Sequence, residues 1–157
     1  VDKMKALRVV CVTILVLGIA VAGYALEKRN AKITSLNGPT EVKRAGQAVW
    51  SPASNGMVLG EGDALKTAEG SWALVNIDNG KIAMVELKGG SQMSIAELAG
   101  DPKSDTSKTL LDLAIGEVLI KAQKVHGESS KFEVKTPTSI VGVRGTTFNV
   151  KVEAVKE

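Results

Sequence analysis

The fold class of this chain is decided by residues 136–150, Thr-Pro-Thr-Ser-Ile-Val-Gly-Val-Arg-Gly-Thr-Thr-Phe-Asn-Val. The apolar residues of this stretch recur with the alternation of β-strands. Pro137 stands at the start, where no backbone N–H is needed for pairing with a neighbouring strand. Gly142 and Gly145 mark points where the backbone bends or where another segment of backbone approaches closely. We therefore predict two strands joined by a glycine-pinned kink.

Arg144 is the one long cation in this run of apolar and small residues. Its five N–H donors suit it to cap strand-end carbonyls or to hold a carboxylate. Because buried cations are seldom left unpaired, one interpretation is a structural clamp within the fold. The other is a site at which Arg144 holds the carboxylate of a ligand or partner.

From residue 31 onward, short apolar runs alternate with turn residues. Asn37-Gly38 is a strong hairpin signal, and Asp78-Asn79-Gly80 and Gly89-Gly90 end later runs. Residues 100–108 contain no apolar side chain suited to a strand, so they are predicted to form an exposed loop. Turn signals recur about every 8 to 12 residues, a rhythm typical of all-β sandwiches, barrels or short solenoids. The sequence thus predicts an all-β domain.

The N-terminus has the pattern of a targeting segment. A basic stretch precedes a continuous apolar run, and small residues near position 25 fit a cleavage site. The alternative is an uncleaved anchor in the inner membrane, because residues 9–26 would form a hydrophobic helix of about 27 Å, close to the hydrocarbon thickness. We expect residues 1–25 to be a signal peptide or a single membrane anchor. Residues 26–157 would then be one extracytoplasmic domain, in the periplasm or at the cell surface.

Composition excludes several classes of function. The chain has 157 residues, with 20 Lys and Arg against 17 Asp and Glu, hence a net charge of +3. Removing residues 1–25 takes away three cations and one acid, which leaves 17 against 16 and a net charge of +1. This balance predicts no nucleic-acid partner. The single cysteine, Cys11, lies in the apolar run, so the rest of the chain has no disulfide.

Residue types that perform catalysis or bind metals are sparse. His126 is the only histidine, which argues against a metal site of clustered histidines and cysteines. No Gly-x-Ser-x-Gly nucleophile elbow occurs. Asp63 and Asp78 adjoin strand ends and are interpreted as turn and strand caps. We expect no enzyme and no cofactor.

Four aromatic residues follow the first 25 residues. Trp50 lies beside a Ser-Pro loop and is the candidate for an exposed binding surface. Trp72 alternates with Leu74, and we predict that it lies in the core. So few aromatic residues do not favour a stacking platform for bases or sugars.

The order of motifs along residues 31–152 resembles the FecR domain family. The closing Thr-Pro and Arg-Gly-Thr segments carry the resemblance, supported by the earlier Gly-Asp and Asp-Asn-Gly segments. The family motif positions, which the resemblance implies are mainly structural, are Gly62, Asp63, Gly80, Thr136, Pro137, Arg144, Gly145, Thr146 and Phe148.

The resemblance also implies a compact β-solenoid-like or jelly-roll-like body. Full-length regulators of this family form a relay of a cytoplasmic anti-sigma domain, one membrane helix and the FecR domain. A further segment meets the signalling domain of a TonB-dependent outer-membrane transducer. In this chain only about eight residues precede the apolar run, and little follows Val152. We therefore do not expect direct control of a sigma factor.

Three functions follow as hypotheses. The first is a non-enzymatic extracytoplasmic module that binds another envelope protein or a ligand, or senses it, through exposed strand edges and loops. The second is a structural envelope protein that self-associates or binds cell-wall glycan, with Trp50 available to stack on sugars. The third is a truncated component of a transmembrane iron-uptake signalling relay, which requires that residues 9–26 remain as an anchor.

Overall fold

The computed structural model describes residues 29–101, 106–124 and 130–154. The expected signal peptide or anchor, and His126, lie outside these residues. Within the described part of the chain, no helix has the length and apolar character needed to cross a membrane. The strands are β1 (Ala31–Asn37), β2 (Thr40–Lys43), β3 (Trp50–Pro52), β4 (Val58–Leu59), β5 (Ala64–Thr67), β6 (Trp72–Ile77), β7 (Ala83–Leu87), β8 (Gln92–Asp101), β9 (Thr106–Ala122), β10 (Lys131–Lys135), β11 (Ile140–Val143) and β12 (Thr147–Val152).

The described chain is all-β, with one short 3-10 helix at Asp78–Gly80 between β6 and β7. Buried and solvent-facing residues alternate along the strands, for example in β7 and β10. This is the period-two pattern of a sheet with one face in the core. The prediction of an all-β domain is confirmed.

All strands belong to one curled antiparallel sheet shaped like a half-barrel. One arm of the sheet has the order β4-β1-β6-β7-β9, and the other has the order β3-β2-β5-β8-β9. Strand β9 belongs to both arms. On its free side, β12 pairs with its C-terminal half, and β10, which pairs with β11, runs parallel to its N-terminal half.

Several stretches of chain cross from one arm to the other, and four of them form the corner: β1 to β2, β5 to β6, β7 to β8, and β9 through its middle. Each of these four stretches acts as one long strand that bends where it passes from one arm to the other. The core fills the space between the arms. Its largest fully buried side chains include Phe132, Ile33, Leu59, Leu65, Ile77 and Leu87.

Small residues line the bend, and we call Gly38, Ser71, Gly89, Ser91 and Gly116 the corner seam. A Cβ at Gly89 would lie 2.7 Å from the Gly70 nitrogen, and one at Gly116 would overlap the Ser91 side chain and Cα. The Ser91 hydroxyl donates to the Glu117 carbonyl at 3.2 Å and accepts from the Glu117 N–H at 2.9 Å. Close backbone approach, which only small side chains permit, thus lets the sheet fold on itself.

Three sequence predictions need correction. The described ladders are antiparallel except between β9 and β10, which is not the stacking of parallel coils in a β-solenoid. Asn37-Gly38 does not form a hairpin, because β1 and β2 pair with different strands and the turn is a corner between the arms. The predicted loop 100–108 is shorter, since Gly100 pairs with Ser107 and Asp101 with Thr106.

Candidate functional site

The closing motif begins in a turn that is fixed by its own side chain. Thr136 is buried, and its hydroxyl accepts from the Ser139 N–H at 3.0 Å and donates to the Ser139 carbonyl at 3.2 Å. Pro137 lies in this turn, where no ladder hydrogen bond is required of it. The turn reverses the chain so that β11 returns along β10.

Strand β11 lies at the edge of the sheet and carries exposed apolar side chains. Among the described residues it pairs with β10 and with no other strand. Ile140 is 62% exposed and Val141 is 38% exposed, whereas Val143 is half-buried and packs against the core. The free edge therefore presents both unpaired main-chain groups and apolar surface.

Arg144 lies in the loop between β11 and β12 and is exposed to solvent. Within the described part of the chain, no hydrogen bond or ion pair involves its guanidinium. Arg144 therefore makes no clamping contact within the described residues, and its loop lies outside the core. The prediction of two strands separated by a glycine kink is confirmed: Gly145 has a φ of 64°.

The loop that contains Arg144 borders an open recess. The end of β9 and the chain after the 3-10 helix form the other walls, because the Ala122 N–H donates to Thr146 at 3.1 Å and the Gln123 N–H donates to Ile82 at 2.9 Å. The recess thus brings two motif positions together from distant parts of the sequence. Its lining residues are Gly80, Lys81, Ala122, Gln123, Lys124 and Gly145.

Phe148, the last motif residue, has a structural environment. It lies on β12 opposite Ile120 and is partly buried against the core. Its ring covers the core where β12 pairs with β9. No ligand-facing role follows from this position.

Gly62 and Asp63, two further motif residues, lie in the turn directly before β5. The Asp63 carboxylate is buried and accepts hydrogen bonds from the Ala45 N–H at 2.8 Å, the Gly60 N–H at 3.0 Å and the Arg44 guanidinium at 2.7 Å. Burial by itself would raise the pKa of Asp63. The two backbone donors and the Arg44 guanidinium together outweigh burial and lower this pKa below its usual value.

Asp63 thus performs the capping role that its position before a strand predicts. We expect Asp63→Asn to reduce the free energy of unfolding at pH 7 by about 2 kcal/mol, a modest value because Arg44 is partly solvated. Since the folded-state pKa lies below the unfolded one, the carboxylate contributes fully above about pH 4 and progressively less below it. The difference in the free energy of unfolding between the parent and the variant should therefore decrease below about pH 4.

Urea unfolding between pH 7 and pH 3 measures this gap. Asp112→Asn is the control, because the Asp112 carboxylate is paired with Lys135 at 3.4 Å on the solvent side of the sheet. We expect a loss below about 0.5 kcal/mol for the control. A gap for Asp63→Asn that stayed constant down to pH 3 would contradict the assignment.

Asp78 belongs to a partly buried ion pair. The Arg29 Nε lies 2.6 Å from the Asp78 Oδ2, and the same guanidinium donates to the Ala99 carbonyl at 2.7 Å and the Lys108 carbonyl at 2.8 Å. These contacts join the 3-10 helix of one arm to the β8–β9 end of the other. Arg29 therefore fastens the two arms at the ends opposite the corner seam.

Trp72 is exposed where the sequence predicts a core residue, and Trp50 is only half-buried. Trp72 lies on the solvent face of β6 and is 38% exposed, while Ala73 and Val75 enter the core. Trp50 is half-buried, with the Lys66 Nζ at 4.6 Å and the Lys43 Nζ at 5.2 Å from its ring centroid. Because cations already interact with this ring, a sugar that stacked on it would have to compete with them.

Sequence reasoning missed Arg29, Lys81, Lys124 and the seam serine Ser91. No local pattern marks Arg29, because its partner Asp78 is 49 residues away. The lysines carry no motif of their own.

The described residues contain no group of three or more histidine, cysteine or acidic side chains placed to hold a metal ion.

Comparison with known proteins gives one match. A family model described as FecR protein matches residues 63–156, which include β5 to β12. No curated protein and no solved structure matches the chain. The matched span contains the Arg144 loop and the β11 edge.

Proposed function

The chain belongs to the FecR protein family, and from this premise we propose that it is a non-enzymatic binding module of the bacterial envelope. The family is one of signalling and regulation and is typically associated with the envelope. The module would lie outside the cytoplasm, carried there by residues 1–25 as a signal or anchor. It would act by contacting another envelope protein.

The observation that carries the proposal is the free edge of β11. Other edges in the described sheet are protected: β4 has two residues, β3 ends in Pro52, and β12 places Lys151 beside Val152. Short strands, proline and lysine are the usual defences of a sheet edge. In contrast, β11 has the sequence Ile-Val-Gly-Val without a charge or proline.

A partner would add an extended segment to this edge. Main-chain hydrogen bonds would supply affinity, and alternate side chains would supply specificity. Ile140 lies on the solvent face of the hairpin, opposite Lys135, and Val141 lies on the face toward the core, opposite Val134. Apolar side chains are therefore available to an added strand on both faces of the edge.

The test is photo-crosslinking in the host, from a benzophenone side chain placed at position 138 in the turn beside β11. We expect Ile140→Glu to reduce crosslinked product about tenfold, because a buried charge opposes strand addition. The variant should stay folded, since the new carboxylate lies opposite Lys135. Val49→Glu is the control, because Val49 is 73% exposed and far from β11 in the sheet order.

Mass spectrometry of the product separates the alternatives. A second envelope protein that Ile140→Glu no longer captures supports the proposal. Recovery of this chain alone would overturn it in favour of self-association. An outer-membrane transducer recovered with residues 9–26 retained would indicate a component of an iron-uptake relay, whereas a cleaved N-terminus would exclude that role.

A further inference from the structure

Two lysines line the recess and an arginine adjoins it, and none of the three has an acidic partner in the part of the chain that the structure describes. Lys81 and Lys124 line the recess, and Arg144 directly precedes Gly145 on its rim. The described salt bridges involve other cations. The nearby acid, Asp78, is already bound by Arg29 and by the Asn30 N–H.

Backbone contacts fix the main chain from which these side chains project. The Thr146 carbonyl accepts from Ala122, and the left-handed backbone at Gly145, with a φ of 64°, turns the loop against Lys124. On the other wall, the Lys81 N–H donates to the Asp78 carbonyl at 3.1 Å. The backbone of the recess is thus already ordered, so binding has to order only the side chains.

The recess lies just beyond the end of β11, since Gly145 lines it. This strand ends at Val143, and Arg144 is the next residue. A segment that pairs along β11 advances about 3.3 Å per residue, so one or two residues beyond its apolar part would reach the guanidinium. We infer that the recess binds an aspartate or glutamate side chain of the segment that adds to β11.

This inference rests on the proposed function and names the chemistry of the partner: an extended, apolar stretch with an acidic residue next to it. A carboxylate satisfies the donors of Arg144 and neutralises the lysines, whereas an amide supplies no charge. The recess would therefore set specificity and direction, while the edge supplies most of the main-chain hydrogen bonds.

Two blocked peptides distinguish the recess from the edge: acetyl-Asp-Asp-Val-Thr-Val-Thr-Asp-Asp-amide and the same peptide with asparagine for every aspartate. Acids at both ends allow either strand direction. Each peptide is titrated into the full chain in a zwitterionic detergent, and amide shifts are read by NMR. We expect both to shift β11 amides, and the aspartate peptide to bind about tenfold more tightly at low salt, with an advantage that shrinks as salt rises.

A pair of double variants with equal loss of charge provides the control. Lys124→Gln with Arg144→Gln should reduce binding of the aspartate peptide to the level of the asparagine peptide. Lys43→Gln with Lys66→Gln, near the β3 edge, should not. Equal affinity of the parent for both peptides would overturn the acidic site while the edge remains. If neither peptide shifted β11 amides, strand addition at β11 would be refuted, and the acidic site that depends on it would be refuted as well.

Discussion

Replacing Gly116 by alanine is expected to reduce the free energy of unfolding by about 4 kcal/mol, the largest effect that we expect of any single substitution. Gly116 lies in the middle of β9, where this strand passes from one arm of the sheet to the other. Its φ is 95°, a conformation that side chains with a Cβ adopt at a cost. A Cβ would also overlap Ser91.

The overlap at Gly116 has no simple relief. Ser91 is 1% exposed, and its hydroxyl bonds to both the N–H and the carbonyl of Glu117. Its carbonyl accepts from the Thr67 N–H at 2.9 Å. Moving Ser91 would therefore break hydrogen bonds in two neighbouring stretches of chain, and buried groups left unpaired are costly.

Urea unfolding followed by tryptophan fluorescence measures the loss, and two alanine variants separate its causes. Gly46 has a φ of 73° but no atom within 4 Å of an added Cβ, so Gly46→Ala reports backbone strain alone, at about 1 kcal/mol. Gly142 has neither feature, and Gly142→Ala should be nearly neutral. If Gly116→Ala lost no more than Gly46→Ala, close packing at the corner seam would be refuted.

Local pattern was sufficient to predict the strands and many of the turns. Alternation identified β6 and β7, and the Asp78-Asn79-Gly80 turn lies between them as a short 3-10 helix. Alternation did not give the phase of β6, because Trp72 and Leu74 are apolar on one face and Ala73 and Val75 on the other. Only pairing with β1 and β7 decides which face is buried.

The corner seam and the candidate recess depend on contacts between distant residues. Asn37-Gly38 marks a turn, but whether that turn forms a hairpin or a corner depends on β5 and β6, which follow much later. From the sequence, Arg144 could be either a structural clamp or a site for the carboxylate of a ligand or partner. Its loop lies at the surface, since β11 is an edge strand with nothing packed beyond it in the described sheet.

The corner seam and the β11 edge also differ in whether their main-chain groups are free to bind a partner. Each strand that crosses the seam has partners on both arms, so its main-chain groups are used within the sheet. Strand β11 lies beyond β10 on one arm and does not cross the seam. A rigid folded sheet with one unprotected strand is suited to binding a segment without rearranging its core.

Arg29→Met is expected to reduce the free energy of unfolding by about 3 kcal/mol, because it leaves the partly buried carboxylate of Asp78 without its cation and removes the donors that join the two arms. The Arg29 side chain is 10% exposed and that of Asp78 is 20% exposed, so solvent replaces these bonds poorly. Methionine retains the aliphatic stem, and the loss therefore reports the guanidinium.

Urea unfolding of Arg29→Met is best compared with Arg44→Met, the same substitution at a more exposed arginine whose acidic partner, Asp63, keeps two backbone N–H donors. Arg44 is 39% exposed and donates to the Val58 carbonyl at 2.8 Å and to Asp63, so we expect a loss of about 1 kcal/mol. Hydrogen exchange adds a local reading: opening at the ends of the arms should accelerate exchange at Asp78, whose N–H donates to the Asn30 carbonyl at 2.9 Å, before it affects the seam. Equal losses for the two variants, or unchanged exchange at Asp78, would contradict the view that Arg29 fastens the arms, and would leave the corner seam as the feature that holds the half-barrel closed.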